Sequence, residues 1–262
     1  MGNREPELDE EGFIAGVYNY CDRWCERCRF AMQCRVYDGI SDENGNIKEL
    51  TIEETLEEVS GSFKKTFEML YDWAQEAGID LDELSNDADE WKQERKLRTD
   101  QIDNHPLSKA TWDYTRMTDT WLKEQLPTLD KKLNELRKHV ELGIHPEQQL
   151  AQRDRIQDAI EVIQFYMNPI YVKTRRALDG LMDGNDYWDD TIQNDFNGSA
   201  KVALLETERS LIAFETLMNM IPEQLDDTLN IMAQLEKIRK GLLGQFPDAR
   251  KFVRLGFDSG EA

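Results

Sequence analysis

The sequence lacks several features that whole classes of protein require. No stretch approaches the roughly 20 consecutive apolar residues of a membrane-spanning helix, so no membrane segment is predicted. Basic residues are outnumbered, with 32 Lys and Arg against 53 Asp and Glu, and the net charge is −21. Proteins that bind nucleic acid or anionic membrane surfaces depend on basic patches, so we expect neither kind of partner.

Cysteine is missing from the whole chain except one short N-terminal stretch, which holds Cys21, Cys25, Cys28 and Cys34. The acidic first residues lack the basic and apolar regions of a signal peptide, so we expect a cytoplasmic location. Thiols stay reduced there, and clustered cysteines are then more often metal ligands than disulfides. With three histidines and no Glu-x-x-His pair, the sequence argues against a di-iron carboxylate bundle.

Alternating strand patterns are also missing, whereas apolar residues recur at helical spacing along most of the chain. The sequence predicts an all-α fold: a bundle of about six main helices in one domain over residues 1–262. An N-terminal segment at 10–37 within that domain carries the cysteine cluster. The first helix is expected near Glu10, with one face formed by Phe13, Val17, Tyr20 and Trp24.

Capping signals and apolar seams place the later helices. Thr51 and Glu54 match a capping box, so the second helix is expected from there to about Gly78. Its apolar seam comprises Ile52, Leu56, Val59, Phe63, Phe67, Leu70 and Ala74. The remaining main helices are predicted at about 106–143, 146–181, 199–221 and 225–243.

The spacing of the cysteines sets a geometric condition on any site. On an ideal helix, Cys21, Cys25 and Cys28 lie within about 60° of one another, whereas Cys34 points to nearly the opposite side. Four sulfurs surround one centre only if the helix ends between Cys28 and Cys34. Four thiolates suit tetrahedral zinc or a cubane cluster. One compact run of four favours a [4Fe–4S] cluster, with zinc as the alternative.

The stretch from Cys25 to Cys34 resembles the C-x2-C-x5-C arm of certain [4Fe–4S] loops. These loops occur in helix-hairpin-helix DNA glycosylases and in iron-staple nucleases of the RecB type. The resemblance implies that an upstream cysteine completes the ligand set, a place that Cys21 can take. The chain lacks the glycine-rich helix-hairpin-helix signature and strand-borne nuclease carboxylates, so the resemblance concerns the ligand set and not DNA repair.

Charged residues also occur on two predicted helices that have an apolar, buried character. The candidates for a polar site are Tyr166, Lys173, Arg176, Lys201, Glu206 and Arg209. Buried charge is costly unless it is paired. These side chains therefore either form ion pairs that hold the bundle in register or line a pocket for an anionic small molecule.

Three functional hypotheses follow from these patterns. The first is an iron–sulfur protein whose cluster serves electron transfer, redox sensing or local stapling, with a protein or redox partner that the sequence does not name. The second is a zinc-stapled helical module that binds another protein. The third is an enzyme with a charged pocket inside the bundle and a purely structural cluster. The sequence identifies no catalytic residue, substrate or pathway.

Overall fold

A computed structural model describes residues 8–79, 88–183, 191–221 and 225–258. These residues form an all-α fold, as predicted, and extended pairing among them is limited to two isolated bridges. In chain order the helices are α1 Arg35–Ile40, α2 Ile52–Ala77, α3 Ala88–Asn104, α4 Pro106–Glu141, α5 Pro146–Tyr166, α6 Pro169–Asp183, α7 Asp195–Met220 and α8 Leu225–Gln245. None of these described helices combines the length and apolar character needed to cross a membrane.

The chain divides into two compact units. The bundle unit contains Asn19–Arg23 and the described residues of Asp100–Ala262. The N-terminal unit contains the described residues of Pro6–Tyr18 and Trp24–Thr99. Helices α4 to α8 therefore belong to the bundle unit, and α1 and α2 belong to the N-terminal unit.

Helix α7 is the central element of the bundle unit. It packs against α5, α6 and α8, and α4 packs against the same three helices. Fully buried large side chains from these helices fill the core, among them Tyr114, Ile156, Leu178, Phe214 and Leu235. Burying a side chain of this size contributes about 1.5–3 kcal/mol, so the apolar stripes of the five helices account for the bundle.

The predicted helix 146–181 is two helices in the structure, and Pro169 marks the division. Helix α5 ends at Tyr166 and α6 begins at Pro169. Proline has no N–H to donate and its ring clashes with the preceding turn, so a helix tends to break there. The Thr115 hydroxyl of α4 donates to the Met167 carbonyl at 2.8 Å, which gives this backbone oxygen at the break a partner.

The capping box of α2 is confirmed. The Thr51 hydroxyl accepts from the Glu54 N–H at 3.2 Å, and the Glu54 carboxylate accepts from the Thr51 N–H at 2.8 Å. Gly78, with a φ of 67°, ends the helix. The predicted start of the later helix at residue 199 was wrong, because α7 begins at Asp195 and the Asn194 side chain caps it by accepting from the Asn197 N–H at 2.9 Å.

Candidate functional site

The segment before α1 is irregular, so the prediction of a first helix near Glu10 was wrong. Gly12, Gly16 and Arg23 have φ values of 88°, 72° and 64°, a left-handed conformation that a right-handed helix does not contain. Among residues 8–34, the described part of the chain before α1, helical structure is limited to two single 3₁₀ turns, Cys25–Arg27 and Ala31–Gln33.

Two of the cysteines lie where these 3₁₀ turns end. Cys28 and Cys34 both have extended backbone, and their N–H groups donate at 3.1 Å to the carbonyls of Cys25 and Ala31. All four cysteines are thiols; Cys34 is buried, and the other three are half-buried. The backbone turns twice between Cys25 and Cys34, so these residues do not form one continuous helix. The helical geometry that would point Cys34 away from the other cysteines is therefore absent from residues 25–34.

Contacts within the N-terminal unit fix the end of this segment. The Ile14 N–H donates to the Gln33 carbonyl at 2.9 Å. The Arg35 guanidinium lies 2.7 Å from the Asp9 carboxylate and 4.9 Å from the centre of the Phe13 ring. Residues 9–14 therefore lie along the backbone that carries Cys34, and they contribute to its burial.

Two arginines of the cysteine segment stack on neighbouring aromatic rings. The Arg27 guanidinium lies 4.0 Å from the centre of the Trp24 ring, and that of Arg29 lies 4.6 Å from the centre of the Phe30 ring. Cation–π contacts of this kind hold the two guanidinium groups against aromatic rings of the same segment that contains the cysteines.

Asp22, the residue after Cys21, is bound by two side chains of the helical bundle. The Tyr166 hydroxyl donates to its carboxylate at 2.8 Å, and Arg209 forms an ion pair with the same oxygen. Burial, and then the charge of Asp22, raises the pKa of Tyr166. The Tyr166 hydroxyl therefore keeps its proton and remains a donor, and these contacts fix the position of Cys21 within the bundle unit.

Tyr20, the residue before Cys21, is also held by the bundle unit. Its hydroxyl donates to the Asp195 carboxylate at 3.2 Å, and its ring meets the Phe252 ring edge-on, with centroids 4.6 Å apart. Both rings lie so close to Gly198 that a Cβ there would come within 2.4 Å of the Tyr20 ring. Burial, and then Asp195, raises the pKa of Tyr20 to about 12.

Glu206 of α7 is completely buried, and neither of its carboxyl oxygens has a hydrogen-bond partner among the described residues. Burial raises the pKa of Glu206 to about 8, although the neighbouring charge of Lys173 opposes the rise. Burial also lowers the pKa of Lys173, an effect that Glu206 and Cys21 oppose. At neutral pH the Glu206 carboxyl is therefore mostly protonated.

The other predicted pocket residues bind carboxylates at separate positions. Arg176 makes two hydrogen bonds to Asp195, at 2.6 and 3.1 Å. The Lys201 ammonium lies 2.8 Å from the Asp258 carboxylate and donates to the Phe252 carbonyl. The structure brings Tyr166 and Arg209 together at Asp22, with Glu206 and Lys173 close by. Arg176, Lys201 and Arg209 therefore each form an ion pair with a different carboxylate.

An open groove of about 640 Å³ runs between α5 and α7. Its charged lining comprises Arg155, Asp158 and Arg209. Arg209 is the only member of the predicted pocket set in this lining. The groove is thus a different place from a pocket lined by the six predicted residues.

Several residues that build this region were missed in the sequence. Asp22 stands next to Cys21, yet its partners Tyr166 and Arg209 lie 144 and 187 residues away, a pairing that no local pattern indicates. Tyr114 of α4 was also missed, although it is fully buried and burial raises its pKa to about 12. Its immediate neighbours Asp113, Thr115 and Arg116 are polar, so no local apolar run indicates its burial.

The four thiols match a [4Fe–4S] cluster or a zinc ion in number and kind. Across residues 8–79, 88–183, 191–221 and 225–258, no three His, Cys, Asp or Glu side chains are grouped so that they could hold a metal ion.

Comparisons with protein-family models, with curated proteins and with solved structures gave no match to this chain. The resemblance of Cys25 to Cys34 to the arm of [4Fe–4S] loops therefore stays a prediction.

Proposed function

We propose that this protein binds a [4Fe–4S] cluster through Cys21, Cys25, Cys28 and Cys34. One observation carries the proposal: every cysteine of the chain lies in a single short segment that contains 3₁₀ turns and no α-helix, and all four are thiols. A set of unrelated core cysteines would be spread over several helices. Four thiolates in one compact loop are typical of cubane clusters.

The neighbouring residues have definite roles under this proposal. With one cysteine for each iron, no iron is open to substrate, so the cluster supplies one-electron transfer, redox sensing or local stapling. Arg27 and Arg29 reduce the repulsion between the thiolates. Asp22, bound by Tyr166 and Arg209, keeps Cys21 in a fixed position. A role in electron transfer implies a redox partner protein.

Anaerobic purification followed by iron, sulfide and zinc analysis tests the proposal. We expect about four iron and four sulfide per chain, together with a brown colour that fades on reduction. Cys21→Ser and Cys28→Ser should each lower the iron content severalfold. Met32→Ser is the matched control, because it removes an exposed sulfur from the same segment without removing a thiolate.

Two results would contradict the proposal. A colourless protein with one tightly held zinc per chain would support the zinc-stapled alternative. Full iron and sulfide content in Cys21→Ser would show that Cys21 is not part of the ligand set, and the four-cysteine assignment would then be wrong.

A further inference from the structure

Helix α2 has an apolar face that lies open to solvent. Every residue from Ile52 to Ala77 is exposed except Ala74. The large apolar side chains on and beside this face are between 46% and 76% exposed; they are Ile52, Leu56, Val59, Phe63, Phe67, Met69, Leu70 and Trp73. Soluble proteins rarely expose a contiguous apolar surface of this length, so the face is a candidate interface.

The spacing along this face is that of a helix–helix seam. Starting at Ile52, steps of four and three residues lead to Leu56, Val59, Phe63, Thr66, Leu70, Trp73 and Ala77. An apolar repeat of this period over the full length of a helix is what a two-stranded coiled coil requires. With a rise of 1.5 Å per residue, the seam is about 39 Å long.

The positions that flank the seam are uncharged through the middle of the helix. They are occupied by Thr55, Ser60, Ser62, Phe67, Met69 and Ala74. Glu53 and Glu76 flank the seam near its two ends, whereas Glu58, Lys64 and Asp72 lie towards the opposite side of the helix. A second helix with the same surface can therefore approach without placing like charges against each other at the flanks of the middle part.

Antiparallel pairing with a second α2 gives layers that are closer in size than those of parallel pairing. About an axis between Lys64 and Lys65, Ile52 meets Ala77, Leu56 meets Trp73, Val59 meets Leu70 and Phe63 meets Thr66. Parallel pairing in register would place Trp73 against Trp73 and Ala77 against Ala77, which gives layers of very unequal size. Facing large with small residues keeps the layers uniform and well filled.

The available area is also sufficient. Eight large side chains, exposed to this extent, offer on the order of 800 Å² or more per helix, which is about what each partner contributes to a standard protein interface. We propose that the protein forms a two-fold symmetric dimer in which α2 pairs antiparallel with α2 of a second copy. The proposal is independent of the metal bound at the cysteines.

Light scattering after size-exclusion chromatography of the full-length, metal-loaded protein tests the dimer. We expect a mass of twice the 30.6 kDa of the chain at micromolar concentration. Phe63→Lys places a charge in the centre of the seam and should weaken the dimer at least tenfold. Gln75→Lys is the matched control, because it adds the same charge on the far side of α2 and should leave the dimer intact.

Photo-crosslinking tests the direction of pairing in a protein with an otherwise native seam. With p-benzoylphenylalanine at position 56 and a mixture of isotopically light and heavy chains, we expect a crosslink between copies to the peptide that contains Trp73. A monomer, a dimer unaffected by Phe63→Lys, a crosslink within one chain, or a crosslink to the same position of the other copy would each overturn the proposal.

Discussion

Glu206 illustrates how burial changes a single ionisable side chain. It is 0% exposed, and the structure gives its carboxyl oxygens no hydrogen-bond partner in the described residues. Ionisation at this position requires a negative charge in an apolar core, which raises the pKa from 4.5 to about 8. The nearby Lys173 limits the rise and does not cancel it, because its own cation is also disfavoured by burial.

This shift predicts that stability depends on pH. The folded-state pKa of Glu206 is above the unfolded value of 4.5. The stability that the protonated carboxyl contributes is therefore fully present below pH 4.5 and is lost as pH rises to about 8. At about 1.4 kcal/mol per pH unit, the free energy of unfolding should fall by a few kcal/mol over that window. Glu206→Gln should remove this fall, as measured by urea denaturation at a series of pH values.

Glu215→Gln is the control for this measurement, because Glu215 is an exposed carboxylate on the same helix. The control should show the same pH dependence as the native protein. If Glu206→Gln also keeps the native slope between pH 5 and 8, the buried carboxyl is not the group that titrates.

At the scale of elements, two stretches with the same apolar spacing have different structures. The stretch from Phe13 to Trp24 and helix α2 both carry apolar residues at steps of four and three. In the first stretch, the Asp9 side chain accepts from the Phe13 N–H at 2.9 Å, and left-handed glycines follow. Side-chain bonds of this kind compete with helix formation, whereas at α2 the Thr51 cap favours it.

The cap of α2 can be tested directly. Thr51→Ala removes the acceptor of the Glu54 N–H, which typically costs about 1 kcal/mol of helix stability. Hydrogen exchange at residues 52–58 of the full-length protein should therefore become severalfold faster. Thr55→Ala is the control, since its hydroxyl donates only to the Thr51 carbonyl one turn back. Equal acceleration in both variants would show that the cap does not determine the start of the helix.

At the scale of the whole molecule, a few polar contacts connect residues that are far apart in the chain. Asp22 binds Tyr166 and Arg209, and these contacts attach Asn19–Arg23 to the bundle unit. The Arg209 side chain is 48% exposed and that of Asp22 is 21% exposed, so solvent screens part of the attraction.

We expect Asp22→Asn and Arg209→Gln each to lower the free energy of unfolding by about 1 kcal/mol. In a double-mutant cycle the two changes should couple by about 0.5–1 kcal/mol, because both remove the same contact. The exposed pair of Asp119 and Lys123 on α4 is the control and should couple less. Purely additive effects at Asp22 and Arg209 would show that the ion pair does not stabilise the bundle unit.

The tertiary structure alone decided two features. It set the open position of the α2 face and the assignment of Arg176, Lys201 and Arg209 to three different carboxylates. An apolar stripe shows that a helix has a face to bury and does not show what covers it.

The sequence by itself determined the all-α class, the boundaries of α2, the start of α4 at Pro106 and the concentration of the thiols. Capping boxes, prolines and apolar periodicity act within one or two turns, so a short window of sequence contains them. The remaining choices depend on contacts between residues that are distant in the chain, from 19 positions for Arg176 with Asp195 to 187 positions for Arg209 with Asp22. The energies of such contacts exist only once the chain has folded, and no local pattern records them.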